Sequence, residues 1–445
     1  MASGHRALGS ATPAEAAWTL TEAANEPFFT LVQRYVFPPF FVGAIAAAAG
    51  IANGAALWGY ATAAAGLIVA VSAPLMGAAG DAGGRRRPLM IAMAAIAFVA
   101  SLLLWFAVPG QPLALILLLA VLALAAFELL AVVTNSFLPI LVRPSWFGLA
   151  SGLAFAFGQL AGIASLMAVI WLSEAPPAAL SGVAHGVDRL SGPLAALALL
   201  LCLGPALLLF RDSPVPAAGR SPASSLQTLF ATLREAWTDR TLRLFYLGRM
   251  IGGDGLSLIF AFGAVLAAQT FGWKASTLAS FGIAITIASA AGGLLSAAVD
   301  RRLGPRRTVM AGFGLVLVGL AGLLGAGAGS IFGLQTGAAP GGPLSSPQEQ
   351  LFVAAAVLVS LGAGPAIAGM RALMAAIAPP GRVSACFGLY AFVGKATNFL
   401  GPLLVGLVIS ATGSLRLGLC VALAFLLFGI VCFARMPAAP ARLAA

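Results

Sequence analysis

Eight charged side chains stand inside otherwise apolar stretches: Glu22, Glu26, Arg34, Glu128, Arg249, Asp254, Arg371 and Lys395. An Asp, Lys or Arg at the centre of a lipid-facing helix costs about 2.5–3.5 kcal/mol on insertion. Eight of them facing lipid would cost on the order of 20 kcal/mol, more than the whole stability of an ordinary domain. They must face one another, a cavity or an interface. Four are acidic and four basic, so complete pairing is available. The chemistry open to such a set is recognition of a charged solute and carriage of a proton on a buried carboxylate, with Glu128 and Asp254 as candidates.

Covalent catalysis has no comparable support. His5 and His185 are far apart, and Cys202, Cys386, Cys420 and Cys432 are scattered singly through apolar segments. Neither a metal cage nor a disulfide framework has the spacing it needs. The run from Gly388 to Thr397 superficially resembles a phosphate-binding loop, but its glycine spacing is wrong, alanine follows the lysine, and no strand precedes it. No cofactor and no enzymatic activity are expected, and the driving force for any work must be a gradient.

The elements that position these charges follow from composition. Residues of the AVILMFWYC set make up 61% of 445 positions, and only 8% are charged. A soluble domain carries about 25% charged residues, and the mean hydropathy of +1.02 belongs to a chain solvated by lipid. The net charge of +11 does not indicate nucleic acid, because the arginines sit between apolar runs and form no water-exposed basic patch. A span needs about 20 apolar residues. That ruler places spans near 18–43, 57–79, 88–108, 112–141, 147–172 and 192–211, then near 242–270, 275–299, 308–333, 350–378, 384–412 and 415–435. No cleavable signal peptide is expected, since residues 1–17 lack a continuous apolar core.

The expected architecture is all-α and integral to the membrane, about twelve spans in two six-helix pseudo-repeats. Residues 1–211 form one bundle and 241–445 the other, joined by the polar linker 212–240. With the N-terminus inside, the loops holding Arg85, Arg86, Arg87, Arg143, Arg301, Arg302, Arg306, Arg307 and Arg382 all fall on one side. Only Arg189, Lys274 and Arg416 fall on the other. This bias puts both termini in the cytoplasm. A composition rich in alanine and glycine, with arginine favoured over lysine, suggests a bacterial inner membrane.

The loop after the second span reads Gly77-Ala-Ala-Gly-Asp81-Ala-Gly-Gly84-Arg85-Arg86-Arg87, and Asp300 to Arg307, with Gly304 and Arg306, partly repeats it six spans later. The first copy fits the G-x-x-x-D-x-x-G-R-R-R loop signature of the major facilitator superfamily. In the second, Ser296 stands where a glycine is expected and the Asp-to-Gly spacing is one residue longer. A finer resemblance is to the vacuole-effluxer-like branch of that superfamily, related to autophagy-associated amino-acid permeases of fungi. It is carried by Thr21 to Glu26, Leu57 to Tyr60, Asn135 to Pro139, Arg249 to Gly255 and, most fully, Phe387 to Pro402, which includes Asn398. The chain departs from that branch at the first-span aromatic-acid pair and at Ile140, where an acidic residue is frequent.

The resemblance implies a major facilitator fold and secondary transport of an amino acid or short peptide. The substrate candidates are Glu26, Arg34, Glu128, Arg249, Asp254, Lys395 and Asn398. Lys395, with Arg34 or Arg249, would hold a carboxylate, and Asp254 or Glu26 an ammonium group. Arg371, near a span end, is expected to snorkel to the headgroups. The motif loops, with Gly77, Asp81, Gly84, Arg85, Arg86, Asp300, Gly304 and Arg306, are expected to gate. Pro27, Pro38 and Pro39 should interrupt span one, Gly252, Gly253 and Gly255 should loosen span seven, and Pro365 and Pro402 should break spans ten and eleven. Partners expected are a small-molecule substrate, the bilayer and protons, with the chain a monomer. The same fold could instead export lipophilic drugs or lipids, or serve as a non-transporting scaffold or sensor.

Overall fold

A computed structural model describes residues 11–51, 53–83, 85–180, 182–212, 222–273, 275–337, 341 and 344–437. Gly84, Arg220 and Lys274, and His5, Arg6 and Arg442 near the chain ends, lie outside these. The described residues hold twelve helices long and apolar enough to cross a membrane. Spans one to six are Pro13–Ala46, Gly54–Gly83, Arg86–Phe106, Leu113–Leu141, Pro144–Glu174 and Gly186–Leu209. Spans seven to twelve are Arg240–Phe271, Ala275–Leu303, Pro305–Gly325, Pro347–Ile377, Val383–Thr412 and Leu415–Arg435. Their apolar residues run all round each helix, which suits lipid on one side and protein on the other.

Packing repeats with an offset of six. Span one packs on spans five and six, and span three on four and six. Span seven correspondingly packs on eleven and twelve, and span nine on ten and twelve. The contacts between the two sets obey the same rule: span two meets eleven as span eight meets five, and span four meets eleven as span ten meets five. Backbones touch at these joints. A Cβ on Gly77 would run into the Ser384 carbonyl and one on Gly388 into the Ala73 carbonyl. At the matching joint, a Cβ on Gly152 would lie 2.5 Å from the Gly293 carbonyl oxygen, and one on Gly293 2.8 Å from that of Gly152. Small residues allow this close approach where no hydrophobic force separates helix from lipid.

Several expectations are corrected. Span seven is one uninterrupted α-helix from Arg240 to Phe271. Gly252 and Gly255 serve packing, whereas Gly253 meets no other span: a Cβ on Gly252 would lie 3.2 Å from Gly429 of span twelve and 3.1 Å from the Phe313 ring of span nine. Span ten continues through Pro365 to Ile377, and Gly312 of span nine lies against the Pro365 and Ala366 backbone. Span nine ends at Gly325 rather than near 333, and a short antiparallel hairpin, Ser330–Ile331 with Leu334–Gln335, follows. The linker contains a helix, Pro222–Thr238, whose Glu235 pairs with Arg382 immediately before span eleven. Span one is interrupted as expected: π-helical turns occupy Phe29–Tyr35 and Phe41–Ala46. Span eleven breaks at residues 397–399, between the segments Val383–Ala396 and Leu400–Thr412.

Candidate substrate site

Three of the four available ion pairs form among the described residues. Glu26 lies just before Pro27, where span one leaves α-helical geometry. Eight residues of α-helix rise about 12 Å, yet Arg34 Nη1 reaches Glu26 Oε1 at 2.5 Å. The π-helical turns between them widen the helix, and arginine side chains lean toward the N-terminus. The Arg34 side chain remains 48% exposed.

Lys395 Nζ donates to Glu128 Oε1 at 2.7 Å. This pair joins span four to span eleven, and so one set of six spans to the other. Both side chains are partly exposed, 28% for Lys395 and 27% for Glu128.

Arg249 and Asp254 of span seven are the two charges without a salt bridge among the described residues. The Arg249 guanidinium lies 3.6 Å from the Tyr390 ring centroid, and its Nε donates to the Tyr390 carbonyl at 3.2 Å. Gly394 makes room for it: a Cβ there would stand 2.8 Å from Arg249 Nη2. Asp254 is 4% exposed. Its Oδ2 has no hydrogen-bond partner, and neither has Thr397 Oγ1 in the span-eleven break. Asn398 sits exposed in the same break and meets none of these charges.

Below this level, toward the face that carries the motif loops, the two sets of spans are bolted together. Asp81 accepts from the Ser384 and Ala385 amides at 3.0 and 2.7 Å, thereby capping the start of span eleven. Arg86 pairs with Asp81 at 2.5 Å and donates from Nε to Ser384 Oγ at 2.5 Å. Asp300 takes the matching place at the start of span five, where a Cβ on Gly148 would collide with its carboxylate. Arg306 instead bonds the Phe433 carbonyl at 2.7 Å and the Ala434 carbonyl, tying span nine to span twelve. Gly304 turns the chain between spans eight and nine at φ +77°, and Arg85 is exposed.

The snorkelling expected of Arg371 is wrong. Its side chain is 4% exposed and meets Glu22 of span one at 2.7 Å, with the Trp18 ring centroid 5.8 Å away. Span ten is wrapped by spans five, eight and nine, so this face has no path to the headgroups. Sequence reasoning also missed Glu15, which holds Arg143 at 3.0 Å beside the start of span five, and Ser384, Tyr390 and Thr397. Tyr390 and Thr397 lie within the eleventh-span pattern and could have been found there. Ser384 carries no signal of its own.

Comparison with known proteins agrees with this architecture. Several solved transporters share the fold. The E. coli fucose:proton symporter superposes with a TM-score of 0.70 at 14% identity, covering 96% of this chain and 98% of that one. A bacterial homologue of the iron transporter ferroportin, in an outward-facing state, gives 0.71 at 14% identity over 95% and 98%. Among curated proteins, autophagy-related protein 22 of Cryptococcus neoformans is 30% identical over 177 residues, 40% of this chain and 30% of that protein. Its counterpart in Yarrowia lipolytica is 27% identical over 192 residues, 43% and 30%. The matched segment thus spans under a third of these relatives' own length. A family model described as "Vacuole effluxer Atg22 like" matches residues 50–147 and 149–445. With nearly the whole chain matched, the protein belongs to the Atg22-like vacuole effluxer family and has the major facilitator fold.

Proposed function

We propose that the protein is a secondary active transporter that moves a small zwitterion, an amino acid or short peptide, by alternating access. Residues 1–211 and 241–445 would rock as two units about a central site, with 212–240 connecting them. The observation that carries this reading is the 2.7 Å Glu128–Lys395 bridge between the two units. A zwitterion supplies both halves of the exchange: its carboxylate replaces Glu128 at Lys395, and its ammonium replaces Lys395 at Glu128. The bridge opens without leaving a half-buried charge unpaired, an event that otherwise costs several kcal/mol. A neutral lipophile offers no such exchange. Arg249 stands on the path below with guanidinium nitrogens beyond the one held by Tyr390, and Arg34 and Glu26 line the first-unit side. Coupling to a proton or another small cation would run through Glu128 or Asp254.

The face holding Asp81, Arg86, Arg301 and Arg382 is cytoplasmic in this reading, by the bias of basic residues. The membrane it implies, from composition, is a bacterial inner membrane, and the protein works as a monomer. The first experiment is a thermal-shift screen of the purified protein against amino acids, dipeptides, sugars and lipophilic cations. A ligand at 100 times its Kd stabilises the fold by about 2.7 kcal/mol. Stabilisation by a zwitterion that disappears in Lys395→Met and Glu128→Gln supports the reading. Stabilisation by lipophilic compounds alone, unchanged in those variants, overturns it.

A further inference from the structure

Asp254 is buried, makes no salt bridge among the described residues, and leaves Oδ2 without a hydrogen bond. The side chain facing it from span eleven is Thr397, close enough to interact, although its buried Oγ1 makes no hydrogen bond of ordinary geometry. The Thr397 hydroxyl is the one donor turned to the carboxylate, and the two oxygens do not meet in ordinary hydrogen-bond geometry. Arg249 lies over the Tyr390 ring without reaching Asp254 in a salt bridge, and Lys395 bonds Glu128. A carboxylate left in this state is costly, and folded proteins compensate it with a counter-charge or a proton.

The break in span eleven that holds Thr397 supplies more oxygen. Span eleven stops being helical after Ala396, and the Thr397 and Asn398 amides both turn to the Lys395 carbonyl. The Val393 and Gly394 carbonyls thereby lose the amides that an unbroken helix would give them. They lie at the C-terminal end of a helical segment, where the partial charge is negative and favours a cation. Unwound carbonyls at a mid-membrane helix break are the donor type that holds coupling cations in transporters. One carboxylate with neutral oxygens balances a single positive charge, whereas divalent cations gather several carboxylates. Among the described residues no group of three or more acidic, His or Cys side chains is available for a divalent ion.

We propose that Asp254, Thr397 and the freed carbonyls of span eleven bind a sodium ion. The ion would pin span seven to span eleven beside Lys395. Its use as the coupling ion rests on the transport reading above, but its binding does not.

The test therefore measures binding without substrate. The purified full-length protein is heated in sodium chloride, potassium chloride or choline chloride at equal ionic strength and at two pH values. A saturable rise in unfolding midpoint specific to sodium is expected. Asp254→Asn and the near-isosteric Thr397→Val should each raise the half-saturating sodium concentration by about tenfold or more. Thr397→Val keeps the carboxylate and its packing, so it remains informative if Asp254→Asn folds poorly. No sodium-specific rise in the wild type, or a rise unchanged in Thr397→Val, overturns the proposal. A midpoint that follows pH but not sodium also overturns it and assigns Asp254 a proton. Failure of zwitterion binding with sodium binding intact would overturn only the substrate reading.

Discussion

Glu22 and Arg371 illustrate how far single residues can be read before their neighbours are known. Both are visible as charges in apolar runs, and the energy of insertion says that they need partners. Which partner each takes is a tertiary fact. Glu22 and Glu26, four residues apart on one face, go to different places, one across to Arg371 and the other along its own helix to Arg34. Arg371→Met would leave Glu22 unpaired at the joint between spans one and ten, a loss of about 3 kcal/mol. The double variant Glu22→Gln with Arg371→Met should recover most of it. Denaturant titration of the four proteins in a double-mutant cycle measures the coupling. Near-additive losses would show that the pair contributes little to the closed form. At Lys395 the outcome differs, because the pair is partly exposed. There Glu128→Lys combined with Lys395→Glu should keep the fold and restore the bridge, while reversing the polarity that a bound zwitterion must adopt. Substrate binding, read by the same thermal shift, should then be recovered at least in part relative to either single change.

At the scale of elements, lengths and apolar runs were enough to place all twelve spans, because lipid imposes a single rule on each: about 20 apolar residues with every backbone group bonded within the helix. Helix distortion was less legible. Prolines 27, 38 and 39 did mark the irregular first span, whereas Pro365 left span ten intact and Gly252 and Gly255 of the unbroken span seven proved to be contact points. A glycine in a membrane helix has two uses, unwinding and close approach, and only the neighbouring backbone decides between them. Close approach at the joint of spans two and eleven gives a direct prediction. Gly77→Val must push Ser384 away, and overpacking costs about 1–3 kcal/mol. It should therefore lower the population of the form closed at the motif face by about tenfold. Labelling of a cysteine at Ser384, in a variant lacking the four native cysteines, should become correspondingly faster. An unchanged labelling rate would mean that the joint yields without opening.

For the whole molecule, the sequence repeat was partial, since the second motif copy lacks a glycine at Ser296 and has shifted spacing. The contacts are nevertheless matched span for span under an offset of six. Asp81 caps the start of span eleven while Asp300 faces the start of span five, so each set of spans closes on a helix N-terminus of the other. The repeat survives in packing because a helix pair can keep its geometry through many side-chain changes, provided that small residues stay at the crossing. If alternating access is a rocking of these two sets, fastening either symmetry-related joint must arrest it. A Cβ on Gly80 would stand 3.2 Å from that of Ser384, and one on Gly293 3.1 Å from that of Ala156. Both approach the Cβ separation of about 3.5–4.5 Å that a disulfide spans. In a background lacking Cys202, Cys386, Cys420 and Cys432, the pair Gly80→Cys with Ser384→Cys should stop transport in proteoliposomes on oxidation and release it on reduction. Ala156→Cys with Gly293→Cys should do the same at the other joint. Ligand binding from the opposite face should persist in both oxidised proteins. Full transport through a fully cross-linked pair would rule out rocking at that joint, and arrest at one joint alone would show that the two sides of the molecule do not open together.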